Sequence, residues 1–135
     1  MGISTRGVYG LGALYYILLN SHTNAVQASE IARAIDVPQN YLEQLLFVLR
    51  NKGYLTSTRG PKGGYKLAEG TENVPIRDFL DVLEGAWIKK IQTQSPALNL
   101  FWADSQEKIR TIYGTTLKDL IRYEEKISNQ NMYYI

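Results

Sequence analysis

Between residues 28 and 67 two short helical patterns are followed at once by a β-hairpin pattern, an order that few folds accommodate in so little chain. Ile31, Ala32 and Ile35 make the buried stripe of a helix expected over residues 28–35, with Ser29 near its start. Asp36 and Val37 make a tight turn. Pro38 fits the first turn of the next helix, where its missing amide forfeits no hydrogen bond, and Tyr41, Leu42, Leu45, Leu46 and Leu49 carry that helix to about Asn51. Lys52 and Gly53 end it. Residues 54–58 and 65–67 are rich in β-formers and flank a glycine-rich tip, residues 59–64. Two short helices joined by such a turn form a helix-turn-helix pattern, whose second helix can enter the DNA major groove, although helical hairpins that touch no DNA share it. With the hairpin attached, the pattern is that of a winged helix. Pro61 stiffens the loop between Arg59 and Lys62, which places two cations on a protruding tip. The glycines of this loop match neither GxGxxG nor the Walker spacing, which argues against nucleotide binding.

The flanking segments complete a small helical body. Ser4 or Thr5 can cap a first helix that runs to about Leu19, with Val8, Leu11, Leu14, Tyr15 and Leu18 at three- and four-residue intervals. A fourth helix is expected over residues 74–83, with Pro75 in its first turn, Ile76, Phe79, Leu80 and Leu83 facing the core, and Gly85 closing it. Residues 86–95 have weak periodicity and read as a connector ending at Pro96. One long helix is expected from Ala97 to about Asn129, roughly 45 to 50 Å at 1.5 Å per residue. Along it Ile109, Tyr113, Thr116, Leu120, Tyr123 and Ile127 alternate by four and three as in a coiled coil, and Leu117 and Ile121 widen the apolar face. So short a seam serves a dimer or packing on the same chain equally well, but the body is too small to cover the whole helix, which leaves the rest for a partner subunit. The expected fold is therefore mainly α with a small β-hairpin. A winged helix-turn-helix occupies residues 1–85, a connector 86–96, and a long dimerisation helix with its tail 97–135.

Composition narrows the function. With 135 residues the chain suits one domain and an appended element. It has no cysteine, which excludes disulfides, thiolate catalysis and cysteine-ligated metal sites, and its single histidine, His22, reads as a solvated loop residue. No carboxylate pair stands in a recognisable acid/base motif, so an enzyme is not expected. No metal or other cofactor is expected either. No apolar run reaches the roughly 18 residues of a membrane span and the start MGISTRG lacks a signal-peptide core, so a cytoplasmic protein with no membrane partner is expected. Net charge is only +2, but residues 44–68 hold five basic groups, Arg50, Lys52, Arg59, Lys62 and Lys66, and no acidic one. That block fits a nucleic-acid face, or a merely solvated hairpin.

The segments ISTRGVYGL, ASEIARAIDVPQNYLEQLLFVLRNKGYLTSTRGPKGGYKLA and IRDFLDVLEG together resemble the Rrf-two family of winged-helix regulators, which includes an iron–sulfur cluster assembly regulator and a cysteine-metabolism repressor. The resemblance covers about the first 85 residues closely, and the long helix that follows resembles the family's dimerisation helix. It implies a dimeric, sequence-specific transcription regulator, a repressor, on a pseudo-palindromic operator of double-stranded DNA. By the same resemblance Asn40, Tyr41 and Gln44 face the major groove with Glu43 on the neighbouring stripe, and Arg59 enters the minor groove with Lys62 beside it. Their chemistry suits the roles: Gln44 can pair with adenine, Glu43 can accept from cytosine, and Tyr41 can reach a phosphate or a thymine methyl unless its ring packs inside. Ser4, Thr5 and Arg6, where helix amides and a cation suit a phosphate, join the DNA-facing set with Ser29 and Arg50. Cluster-binding members place three cysteines after the fourth helix, whereas residues 86–106 here contain none. The chain is therefore expected to respond without a cluster, to a small-molecule or protein effector. Trp87, Phe101, Trp102 and Tyr113 either line a ligand pocket or belong to the core. A winged helix used only to bind proteins is the competing reading.

Overall fold

The computed structural model describes residues 2–133. Ser4 starts the first helix: its backbone is extended and its hydroxyl accepts from the Arg6 amide at 3.2 Å, so α1 runs Thr5–Asn20. Ala13, Leu14 and Ile17 form its buried face. Gly7 and Gly10 let α4 (Ile76–Glu84) lie directly against it, since a Cβ at Gly10 would stand inside the Leu83 side chain. Between them, α2 (Ala28–Ala34) and α3 (Gln39–Asn51) meet at a turn where Asp36 takes a left-handed φ of 56°. Leu42, Leu45, Leu46 and Leu49 of α3 are fully buried with Phe79 and Leu80 of α4 in one core. Pro38 and Pro75 stand one position earlier than expected, as the residues before α3 and α4, where their extended backbone turns the chain into each helix.

β1 (Leu55–Thr58) and β2 (Gly64–Leu67) pair antiparallel, with Leu55 opposite Leu67 and Thr58 opposite Gly64. The tip end of this hairpin has a third strand in miniature that the sequence did not signal. Val26 and Tyr65 exchange both backbone hydrogen bonds, at 2.9 and 2.8 Å. Gly64 permits this: its φ is 140°, and a Cβ there would overlap the Val26 carbonyl. The helix-turn-helix and the wing are thus fastened to one another by backbone.

The long helix expected from residue 97 is two helices. The structure has α5 (Pro96–Ile112), a short 3-10 turn (Lys118–Leu120) and α6 (Ile121–Tyr133), and residues 134 and 135 of the expected tail lie outside the described residues. The break has a physical cause. Gly114 and the β-branched Thr115 and Thr116 are poor helix formers, and the backbone here finds better partners than its own helix. Ile76 donates to the Thr115 carbonyl at 2.8 Å, Arg77 to Tyr113 at 2.8 Å, and Leu117 to Val74 at 3.1 Å. Leu117 is consequently fully buried in the core of the first domain.

The expected seam is divided accordingly. Ile109, Tyr113 and Leu120 pack against this chain's own core, Thr116 lies in the loop paired to Pro75, and Tyr123 and Ile127 are exposed on α6. No residue of α5 is buried, and Leu98, Leu100, Phe101 and Ile112 are exposed along it.

α6 returns to α1 through the Tyr15 hydroxyl, which donates to Glu124 at 2.8 Å. Burial first, then that hydrogen bond and the carboxylate's charge, push the phenol up to about 12. The folded state holds this proton more tightly than the unfolded chain, so the contribution is whole below pH ~10 and is lost as pH rises through about 12. In Glu124→Gln an ultraviolet pH titration should show Tyr15 ionising at lower pH, yet still above 10 because its burial remains. Leu117→Ala should cost about 2–5 kcal/mol in urea unfolding, as a fully buried leucine does. A loss near zero would mean that the loop before α6 is not part of the core.

Candidate nucleic-acid interface

On α3 the apolar stripe of Leu42, Leu45, Leu46 and Leu49 turns inward, which leaves Asn40, Glu43, Gln44 and Phe47 on the opposite, solvent-facing side. These four side chains, with Val48 and with Arg6 from α1, line a groove of about 450 Å³. Gln39 donates to the Glu43 carboxylate at 3.2 Å, which holds one acceptor of the row in place. Gln44 takes part in no side-chain hydrogen bond among the described residues and keeps both amide functions for a ligand.

Phe47 was not singled out in the sequence, although it is off the buried stripe by position. Its ring is 53% exposed, and the Arg50 guanidinium lies 5.4 Å above it. Arg50 also donates to Ser57 of β1 at 3.2 Å, so it bridges α3 to the wing. Tyr41 is half-buried, its ring edge-on to Tyr9 at 6.0 Å, while its hydroxyl reaches the surface 3.4 Å from the Thr5 hydroxyl. The ring is therefore core and only the hydroxyl faces outward.

The start of α1 differs from the expected open phosphate site. Glu84, the last residue of α4, occupies it: its carboxylate accepts from the Ser4 amide at 2.6 Å, the Ser4 hydroxyl at 2.9 Å and the Gly7 amide at 2.9 Å. The favourable end of the helix dipole is already matched by a fixed anion. Ser4 is thus a structural anchor. Arg6 is pinned by its Nε, which donates to the Leu83 carbonyl at 2.9 Å, and it still lines the α3 groove. The Glu84 contact is not legible in the sequence because the two residues lie 80 positions apart.

Arg59 and Lys62 are exposed at the wing tip and make no ion pair among the described residues. Gln27, just before α2, donates to the Pro61 carbonyl at 3.3 Å and steadies the tip. Ser29 is half-buried in the first turn of α2 and does not line the α3 groove. The structure thus brings Arg6, Asn40, Glu43 and Gln44 together with Tyr41's hydroxyl and Thr5 beside them, keeps Arg50 at the junction with the wing, and sets Ser4 and Ser29 apart.

Of the four aromatics singled out in the connector and along α5, Trp87 and Trp102 line a second cleft, of about 460 Å³, and Phe101 and Tyr113 do not. Tyr113 packs edge-on against the buried Trp87 at 5.1 Å, and Phe101 leans on Trp102 at 5.1 Å.

Residues 3–123 match the family model Rrf2, described as an iron-dependent transcriptional regulator. The HTH-type transcriptional regulator CymR of Bacillus subtilis is 31% identical over 138 residues, covering all of both chains. An HTH-type transcriptional regulator IscR of Cereibacter sphaeroides is 36% identical over 86 residues, 62% of this chain and 56% of that protein. Among solved structures, CymR of B. subtilis, described as its global cysteine regulator, superposes with a TM-score of 0.82 at 31% identity, covering 91% of this chain and 98% of that one. T. potens IscR gives 0.79 at 29% identity, over 94% and 90%. The residues present do not fit an iron–sulfur cluster: there is no cysteine, and the single histidine lies in the loop between α1 and α2 and not in the connector.

The anchoring of α1 is testable. Glu84→Ala leaves the Ser4 and Gly7 amides to water and should lower stability by about 1–2 kcal/mol in urea unfolding, with Glu84→Gln losing less because its amide oxygen still accepts. Equal stability of all three proteins would show that solvent replaces the carboxylate without loss.

Proposed function

Because the chain belongs to the Rrf2 family of transcriptional regulators, we propose that it binds operator DNA sequence-specifically as a homodimer and represses transcription without an iron–sulfur cluster. It is a regulator, like the relatives named above, and not an enzyme. The observation that carries the reading is the α3 groove, where Asn40, Glu43 and Gln44 stand with Arg6, together with Arg59 and Lys62 exposed on the wing tip.

Gln44 and Asn40 present the amide pair that matches adenine, and Glu43 an acceptor for the cytosine amino group. Arg59 reads the flanking minor groove, whose negative potential deepens where A·T pairs narrow it. Thr5, the Tyr41 hydroxyl, Lys62 and Arg50 take phosphates, which set register and not sequence. Ser4 supports the site indirectly, through α1.

The dimer reading is supported by α5, a helix of 17 residues with none buried and with apolar side chains facing out. Two such subunits present two recognition helices to half-sites about 10 bp apart or a multiple of that, hence a pseudo-palindrome. A dimer of that span on a promoter blocks it, which makes repression the simplest mode. The place of action is the cytoplasm, where the DNA is. No helix among the described residues is long and apolar enough to cross a membrane.

Fluorescence anisotropy of the purified protein on its own upstream duplex, against a scrambled one, tests the reading. Specific binding should weaken with salt by about 0.9 log units per log unit for each phosphate contacted. Arg59→Ala should weaken binding and flatten any flanking A·T preference, and Gln44→Ala should relax one base position at a cost of about 1–3 kcal/mol. If neither variant changes binding, this docking is wrong. Equal affinity for specific and scrambled DNA, repeated across selected genome fragments, would instead favour a winged helix that binds proteins.

A further inference from the structure

Both tryptophans of the chain face one cleft. Trp87 and Ile91 of the connector form one wall, Trp102 and Ile109 of α5 the other, and Gly2 closes the end next to α1. Its volume of about 460 Å³ falls in the range of small-ligand sites. The lining is mostly apolar and carries no carboxylate, and Lys89 is its one charged group. Lys89 makes no ion pair among the described residues. Its segment is held in place, because the Gln106 side chain donates to the Lys89 carbonyl.

We propose that this cleft binds a small aromatic carboxylic acid, its ring against Trp102 and its carboxylate paired with Lys89, and that binding shifts DNA affinity through the start of α1. The indole of Trp102 is 37% exposed, so a face remains for a planar ligand. Trp87 links the cleft to the DNA-facing side. Its carbonyl accepts from the Gly2 amide at 3.2 Å, and its indole N–H donates to Asp81 of α4 at 2.8 Å. Two residues beyond Gly2, Ser4 is gripped by Glu84, and Thr5 and Arg6 then adjoin Tyr41 and the α3 groove. A ligand seated on Trp87 and Gly2 acts on the contacts that position those residues. The ligand site stands independently of the DNA-binding reading, and only its effect on DNA rests on that reading.

Protein labelled with 5-fluorotryptophan gives two ¹⁹F resonances, one per tryptophan, and both report the cleft. Titration with 3-phenylpropanoate should move both saturably, and its neutral amide should bind about two- to fivefold more weakly, as befits an ion pair with an exposed lysine. Lys89→Met should erase that difference, and Ser105→Phe, which fills the cleft, should abolish the shifts while two dispersed resonances confirm the fold. In anisotropy, saturating acid should change operator affinity of the original protein by about threefold or more and leave Ser105→Phe unaffected. No saturable shift up to about 10 mM acid, or equal binding of acid and amide, overturns the site. Shifts with unchanged operator affinity overturn the coupling. Shifts in a protein that binds no DNA uphold the site and remove the proposed function instead.

Discussion

The carboxylate of Glu84 on the first turn of α1 is the joint around which the start of α1 and the α3 groove are arranged. It sits over Gly7, one of the two glycines where α4 lies directly against α1, and it satisfies amides that would otherwise need water. With Arg6 bonded to the neighbouring Leu83 carbonyl, the helix starts in a fixed relation to α4. The α4 helix in turn packs on α3, so the direction of α1 and the exposed row on α3 are set by the same core. A fixed negative charge at this point closes the axial approach to α1 for an anion and leaves Thr5 and Arg6 exposed at its side.

Much of this was legible in the sequence where the physics is local. The helices α1 to α4, the hairpin and the core leucines of α3 follow from apolar spacing and from turn residues, and they stand within a residue or two of their expected bounds. The exposed row Asn40, Glu43 and Gln44 follows from the same periodicity, because a helix that buries positions 42, 45, 46 and 49 must turn those three outward. Phe47 is on that outward side too, but an aromatic residue in a leucine-rich helix reads as core unless its phase is followed strictly.

What the sequence could not signal depends on contacts between distant segments. Helical periodicity continues through residues 113–120, yet the chain there pairs with residues 74–77 and breaks the helix. Propensity is a weak prior of tenths of a kcal/mol per residue, and a backbone strand with open donors next to it outweighs that. The apparent seam was therefore a superposition of two patterns, residues that bury against their own body before the break and exposed residues after it. The Val26–Tyr65 pairing near the wing tip is hidden in the same way, since a single residue cannot show a strand's alternation.

The break in the helix also changes what the carboxyl-terminal region does to the whole. A single straight helix would leave the carboxyl-terminal region joined to the winged helix only through the connector. Instead Leu117 is inserted in the winged domain's core, Arg110 pairs with Asp81 at 3.4 Å, and the same Asp81 holds the Trp87 indole. The start of the connector and the last turn of α5 are thus both tied to Asp81 of α4, the helix whose final residue seats α1. This stretch of chain holds no cysteine. Here a wall of indole and isoleucine side chains stands there with one ammonium, fastened to the same α4 residues. In the proposed coupling, a perturbation of the connector reaches the start of α1 through two residues of α4, Asp81 and Glu84, which lie close to one turn apart on that helix. That short path requires no motion of the winged domain as a body, only a small change in how the first turn of α1 is held.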